Sequence, residues 1–504
     1  MIQTLLQYGK IAFTSLSFRW YLLGIVLIAT ILRLLTITKA DIWHDEGYSA
    51  MIISFPPAEI IGHAVRDFHP PLYALMLHWW SLLFGTSELA LRSLSLVAGV
   101  ATVVLVYFII KRLRFSETTA RIATLFATFA PFLIRYSQEA RMYGIAAFLV
   151  CAATLAMLIA LDYSKKANAK KQLIWWIIYG LLMAAALYTH YYAAFIIFVH
   201  IGYAWYRYGG FKSLISNKFW WTGNLIAAGL FSTWLPVAVA QFSRVQQGYW
   251  IPPVDAETIP NTLMQFFAFS SNSLNAAVEF ILTLLLACLV TIFMMRTAKP
   301  RRPSIWFVIA WMSVPLLIAL GVSIIRQPVY YDRYFIYSAV AFSALLAILI
   351  TNARLRASIK TALVCGVLII SMLGIMRVAQ SATHQMNTVA TYVNEHSEPN
   401  DLIVSGELYT FFDFSYYNTT GKPLHLLSKD PLISTGESSL IYANQDEIVF
   451  HDLQDINATD AERVWLVGKT GSHDYDTDLV PANWQLISHI EAGDSSVRLF
   501  RIAP

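Results

Sequence analysis

Cysteine is almost missing from this chain. The three present, Cys151, Cys288 and Cys365, each lie inside an apolar run. The sequence therefore carries neither a disulfide framework nor a thiolate metal site. Charge is scarce too: 13% of residues are charged and 57% hydrophobic, where soluble domains hold about a quarter and about half. No internal repeat, no low-complexity segment and no Gly-rich loop for cradling a nucleotide phosphate is visible. These absences exclude a disulfide-built secreted scaffold, a repeat array and a soluble nucleotide-dependent enzyme. The basic excess of the membrane part sits in short loops between apolar runs, so it requires no nucleic acid.

Long apolar runs are abundant. A bilayer-crossing helix needs about 17–25 such residues, and segments of this kind fall near 20–38, 88–110, 118–135, 142–161, 173–189, 193–208, 219–236, 277–295, 304–325, 334–352 and 361–378. The chain reads as a polytopic α-helical membrane protein with about eleven transmembrane helices. Lys10 and Arg19 before the first run resemble a signal peptide, but no small-residue cleavage site follows, so the run is read as a retained span. The clusters Lys111-Arg112-Leu113-Arg114, Lys165-Lys166, Lys170-Lys171, Lys212 with Lys218, Arg296 to Arg302 and Arg354 to Lys360 all separate apolar runs. Basic loops mark the cytoplasmic side, so the tail lies outside.

Charge divides the chain near residue 380. Residues 380–504 carry a net charge of −12 and the remainder +17. This predicts a transmembrane domain over 1–380 and a soluble extracytoplasmic α/β domain over 381–504. Strand-like runs recur in the tail at Leu402–Val404, Leu424–Leu427, Val464–Val467, Leu486–Ile490 and Val497–Ile502. Within 41–87, the first outer loop, His69-Pro70-Pro71-Leu72-Tyr73 opens a run through Phe84 that is too short to span. It reads as an interfacial helix with Pro71 at its first turn and Trp79-Trp80 at headgroup level.

With that topology the distinctive polar residues gather on the outer face. They are His44-Asp45-Glu46 and His69, then Arg135 to Tyr143, then Tyr188-Thr189-His190-Tyr191-Tyr192, then Arg326 and Tyr330 to Tyr334. A longer outer loop, about 238–275, holds Trp250-Ile251-Pro252-Pro253 and is a candidate lid. A carboxylate in a partly dry site acts as a general base toward a hydroxyl. Arginine grips phosphate through a planar, permanently charged fork. Together they suit a sugar carried on a lipid phosphate: the base takes the acceptor proton, the hydroxyl attacks the anomeric carbon, and cations stabilise the departing phosphate. Ordinary readings stand beside these. Asp45 and Glu46 also fit a helix N-terminus, Glu139 and Arg141 a local ion pair, His190 an interfacial histidine, and the tyrosines a membrane-interface belt. Mixed N/O metal ligands exist at His44, Asp45, Glu46, Glu139 and His190, with a spacing that defines no geometry.

Taken in order, Trp43-His44-Asp45-Glu46-Gly47-Tyr48, His69-Pro70-Pro71-Leu72-Tyr73, Arg92, Gln138-Glu139-Ala140-Arg141-Met142-Tyr143, Tyr188-Thr189-His190-Tyr191 and Asp332-Arg333-Tyr334 resemble the C-type (GT-C) integral-membrane glycosyltransferases. The likeness is to the branch of protein O-mannosyltransferases and aminoarabinose transferases. It covers roughly the first 350 residues. The resemblance implies an inverting transfer from a polyprenyl-phosphate sugar donor to an acceptor hydroxyl on protein, lipid or glycan. It implies an outer-face site in the cell membrane. Asp45 becomes the candidate catalytic base and Glu46 a residue that shapes or shares its site. His69, Glu139, Arg141, Tyr143, His190, Arg333 and Tyr334 become candidate substrate-binding residues, with Arg141 and Arg333 assigned to the donor phosphate. Some relatives use a divalent cation and others none, so the cofactor stays open, with His44, Glu139 and His190 as candidate ligands. The alternative is a transporter or flippase of a lipid-linked saccharide, because intramembrane charges mark transport paths too. The sequence shows no transporter-like repeat and no evident broken helix.

Overall fold

The structure, a computed structural model, describes residues 17–165, 168–245, 251–269, parts of 281–295, 302–380, 384–457, 459–470 and 480–503. The N-terminal segment with Lys10, parts of the predicted span 277–295, and Trp250 of the candidate lid lie outside the described residues. The chain forms two compact units. A membrane unit comprises 1–35 and 93–378, and a sheet unit comprises 36–92 and 379–504. Composition divides the chain once, near 380; packing places the segment 36–92 with the C-terminal region.

The membrane unit is helical because water is absent from a bilayer core and every backbone polar group must be satisfied within its own segment. Among the described residues six helices are long and apolar enough to cross a membrane: Glu88–Arg112, Tyr143–Lys165, Ala169–Thr189, Arg302–Ile325, Asp332–Asn352 and Ala357–Gln380. The other predicted spans fall on shorter or interrupted helices. Phe18–Leu34 has 17 residues, Phe195–Tyr208 has 14, and Glu117–Phe129 stops just before Pro131, which opens Pro131–Arg135. Lys218–Ser232 and Leu235–Arg244 form an apolar helix pair bent by 63°. Pro236 cannot donate a backbone hydrogen bond to the preceding turn, so it suits the start of a second helix rather than the middle of one.

Two helices form the middle of this unit. Tyr143–Lys165 and Asp332–Asn352 are each 83% buried over their apolar windows, against 22% for Ala357–Gln380. Close packing elsewhere depends on small residues, as expected where lipid supplies no hydrophobic drive between helices. A Cβ on Gly180 would sit 2.4 Å from the Gly223 carbonyl oxygen, and one on Gly223 2.7 Å from that of Trp176.

The sheet unit contains a six-stranded sheet in the order β3-β2-β1-β4-β6-β5. Its strands are β1 Leu402–Ser405, β2 Leu424–Leu427, β3 Val449–Phe450, β4 Arg463–Lys469, β5 Trp484–Ala492 and β6 Ser495–Ile502. β1 to β4 run parallel, and β6 and β5 add an antiparallel hairpin. The continuous apolar runs in β1 and β4 follow from burial on both faces; Val404, Val464, Leu466 and Phe500 meet in the core. The outer-loop helices of the unit are His44–Ile52, Pro57–Arg66 and Leu72–Phe84. Pro71 caps the last of these, and Trp79 is 57% exposed, as an interfacial helix requires. The fold class read from the sequence, apolar helices with a small C-terminal α/β sheet, is the one observed.

Candidate active site

In the sheet unit, helix His44–Ile52 begins with Asp45 and Glu46 in its first turn. Acids are favoured there by the unsatisfied N–H groups of the helix start. The two carboxylates have different surroundings. Glu46 is fully buried. It accepts two hydrogen bonds from Arg92, Nε to Oε1 at 2.8 Å and Nη2 to Oε2 at 2.6 Å. The same guanidinium donates to the carbonyls of Ile37, Ala40 and Asp41 at 2.7–2.9 Å. Arg92 thereby ties the segment before the motif to the motif itself. Asp45 lies beside this clamp and is 7% exposed.

Helix Leu408–Tyr417 backs the motif. A Cβ on Gly47 would meet the Phe412 carbonyl oxygen at 2.5 Å, so the two helices touch backbone to backbone. The His44 ring packs on Tyr409 and Phe412. Its Nδ1 lies 3.2 Å from the Tyr409 carbonyl oxygen, and its Nε2 pairs with Glu437. Burial pulls the His44 imidazole down, but Glu437, Asp45 and Asp413 more than offset this, and its pKa is raised. Glu437 is held in place locally: the Gly436 N–H donates to the Arg66 carbonyl at 2.7 Å, with φ of 70° at Gly436. Further along the backing helix, Asp413 is 1% exposed and lies 2.9 Å from His384 Nε2; His384 Nδ1 reaches Asp494 at 3.0 Å. His69 Nδ1 lies 3.7 Å from Asp67.

The membrane unit holds the second cluster. The two central helices begin at Tyr143 and just after the turn Asp332–Phe335. Their starts meet: the Tyr143 and Tyr334 ring centroids lie 6.1 Å apart. The His190 ring is 4.9 Å from that of Tyr334 and 5.1 Å from that of Tyr192. His190 Nδ1 accepts the Tyr192 backbone N–H at 3.3 Å, so a neutral ring carries its proton on Nε2. The Arg333 guanidinium lies over Tyr331 at 4.8 Å and over Tyr143 at 5.4 Å. Asp332 accepts the backbone N–H of Arg333 at 2.7 Å. Glu139 pairs with Arg135 at 3.0 Å, and the Arg141 carbonyl accepts the Ser95 hydroxyl at 3.0 Å. Arg33, fully buried, donates to the Ser137 hydroxyl at 2.8 Å and steadies the turn before Glu139. An apolar cavity of about 500 Å³ lies in the same unit, lined by Leu187, Tyr191, Phe231, Val239 and Phe242 with Arg326.

The candidate site residues therefore fall into two groups. His44, Asp45 and Glu46 share one cluster with His69 nearby in sequence, all within the sheet unit; Glu139, Arg141, Tyr143, His190, Arg333 and Tyr334 lie in the membrane unit. Of the metal-ligand candidates, His44 is joined by Asp45 and by Glu437, with donor atoms all within 4.8 Å of one another. Glu139 and His190 are not part of that group. Glu437, Asp413 and His384 were not legible as partners of the motif, since they come from tail positions with no local signal. Arg135 lies within the quoted outer motif; only its pairing was unseen.

The fold is similar to those of solved C-type (GT-C) integral-membrane glycosyltransferases, in keeping with the resemblance read from the motifs. Residues 68–236 match the family model described as dolichyl-phosphate-mannose-protein mannosyltransferase. ArnT from Cupriavidus metallidurans in the apo state superposes with a TM-score of 0.64 at 12% identity, over 95% of this chain and 98% of that one. The same protein bound to undecaprenyl phosphate gives 0.63 at 11%, over 96% and 98%. The Archaeoglobus fulgidus oligosaccharyltransferase tethered to an acceptor peptide gives 0.51 at 11%, over 89% and 69%. No curated protein matches the sequence significantly.

Proposed function

We propose that this protein transfers a sugar from a polyprenyl-phosphate donor to an acceptor hydroxyl, with inversion, on the extracytoplasmic face of the cell membrane. The observation that carries the reading is the cluster at the starts of the two central helices. Helix starts favour anions, and there Arg333 lies over the Tyr331 and Tyr143 rings, with Tyr334 and His190 beside them. A guanidinium kept in place by rings presents its edge to a phosphate. Arg141 is the second phosphate candidate. Glu139 and the tyrosines supply hydrogen-bond groups for sugar or acceptor. The apolar cavity with Arg326 at its wall suits a prenyl chain. Support for a lipid-phosphate donor also comes from the undecaprenyl phosphate bound by ArnT.

Asp45 is the base in this reading. Glu46 has both oxygens engaged by Arg92 and serves to fix the helix start. Asp45 takes the acceptor proton, the oxygen attacks the anomeric carbon, and the bond from that carbon to the phosphate oxygen breaks. The phosphate leaves with the electron pair. One displacement inverts the centre. A general base contributes about 10²–10⁴-fold, so Asp45→Asn should lower transfer from a synthetic prenyl-phosphate sugar by about 10³-fold while the protein still purifies as a folded monodisperse species. Full activity in that variant removes the assignment.

The transport alternative has one feature in its favour, the 63° bend in the helix pair at Lys218–Arg244, since interrupted helices line many transport paths. Purified protein in vesicles that moves a lipid-linked saccharide without forming a covalent product would favour it.

A further inference from the structure

Helix Phe18–Leu34 carries Arg33 in its last turn, and that side chain is completely buried. Nε donates to the Ser137 hydroxyl at 2.8 Å and Nη1 to the Ala29 carbonyl at 3.0 Å. Nη2 is buried with no hydrogen-bond partner, and among the described residues Arg33 forms no ion pair. A guanidinium keeps its charge when buried. A buried charge with no opposite charge beside it is costly, and within a membrane protein it marks a function. The turn that Arg33 holds leads into Glu139, Arg141 and Tyr143. The Gln138 side-chain amide donates back to the Arg33 carbonyl at 2.5 Å, so the contact runs both ways. Gly99 makes room for it: a Cβ there would lie 2.5 Å from that of Ser137 and 3.2 Å from Arg33 Nε. The turn beside the proposed phosphate site therefore rests on a fixed cation that no carboxylate answers.

We propose that Arg33 is a positioning residue whose buried charge is answered by the charge that the donor phosphate gains as the sugar leaves. This rests on the proposed transfer. In the donor the phosphate is a diester with a single negative charge. Breaking the bond from the anomeric carbon to the phosphate oxygen leaves the electron pair on that oxygen, and the acceptor proton goes to Asp45. The released monoester carries about −1.5 to −2 at pH 7. Fully buried, Arg33 does not touch it. It acts from behind the turn, across an interior of low dielectric in which a charge is felt at a distance. A fixed cation directed at charge that develops only as the bond breaks speeds that step without tightening the donor.

The test uses the full chain in detergent, with undecaprenyl phosphate as the monoester and a prenyl-phosphate sugar as the diester. Arg33→Gln keeps an N–H donor where Nε stood and removes the charge; Ser137→Ala breaks the tether and keeps the charge. Without ligand, the unfolding midpoint of Arg33→Gln should equal or exceed that of the wild type. Its inhibition constant for undecaprenyl phosphate should rise about tenfold and its kcat fall about as much, while its KM for the donor changes less than about threefold. Arg33→Lys should restore most of the loss, and Ser137→Ala should keep the wild-type ratio of monoester to diester affinity. An Arg33→Gln protein that fails to fold, or that folds with that ratio unchanged, shows a structural arginine and overturns the proposal. A ratio altered as much in Ser137→Ala as in Arg33→Gln overturns it too. If the wild type transfers no sugar, the transfer reading falls by itself: weaker binding of undecaprenyl phosphate by Arg33→Gln then keeps the charge argument, and equal binding removes it.

Discussion

The two clusters solve opposite electrostatic problems. The sheet unit gathers carboxylates, Asp45, Glu46, Asp413 and Glu437, and matches them with Arg92, His44 and His384. The membrane unit gathers tyrosines around Arg333 and His190, with Glu139 paired to Arg135. The first arrangement suits removing a proton or holding a cation. The second suits receiving an anion, because a guanidinium seated on aromatic faces offers it a fixed cation. A transfer from a lipid phosphate needs both capacities. The fold gives them to different parts of the chain.

If the contrast is right, breaking the sheet cluster costs stability and breaking the membrane cluster costs substrate affinity. The largest stability effect should follow Arg92→Leu. It strands Glu46 as a buried charge, for which losing the partner costs about 3–5 kcal/mol. It also releases three backbone carbonyls. We expect poor yield or an unfolding midpoint lowered by more than that of any other variant here, with Glu46→Gln in the same background recovering part of it. In the other cluster, Arg333→Ala should leave the midpoint nearly unchanged. A lost charge-assisted hydrogen bond costs about 1.5–3 kcal/mol, so kcat/KM for the prenyl-phosphate sugar should fall about 10- to 150-fold. Arg333→Lys should recover little, because an ammonium neither stacks nor forks. A large stability loss in Arg333→Ala would erase the distinction between the clusters.

The spans were legible because exclusion of water demands an unbroken apolar run. Ten of the eleven predicted segments coincide with apolar helices, and the other lies partly outside the described residues. The strands were legible for a similar reason, except Val449–Phe450, which is too short to show any pattern. The motif residues themselves were visible, but their partners were not. His44 and Glu437 are 393 positions apart, and nothing local announces a pairing at that distance. Glu139 had bases on both sides in sequence, and the turn after Arg135 brings the one four residues back to 3.0 Å. The segment 219–236 is read from hydropathy alone, which does not show the second helix that begins at Leu235 and continues beyond it.

A smaller effect probes the backing of Asp45. Alanine in place of a helical glycine is ordinarily favourable by about 1 kcal/mol. At Gly47 the new Cβ would lie 2.5 Å from a backbone carbonyl, which cannot rotate away. Overpacking of this kind costs about 1–3 kcal/mol, so the sign of the net change decides which term wins. We expect Gly47→Ala to destabilise and to lower kcat more than it raises KM, because it pushes the Asp45 helix off its support. A neutral or stabilising outcome would show that this contact is loose.

The smallest expected effect concerns pH. Burial lowers the affinity of His384 for its proton, but Asp413 and Asp494 outweigh that, and its pKa lies above the ordinary 6.5. Asp413 is itself pushed up, by burial first, with His384 pulling the other way. A histidine with a raised folded pKa binds more protons in the folded state than in the unfolded state. Its contribution is therefore fully present below pH 6.5 and is lost as pH rises through the folded value. The raised carboxyl acts in the same direction. The unfolding midpoint of the wild type should fall as pH is raised from 6.5 toward the folded value, and His384→Gln should flatten that slope while lying below the wild type at the acid end. An unchanged slope would mean that the pair does not couple protonation to folding, and that the carboxylate cluster is held by Arg92 and His44 without it.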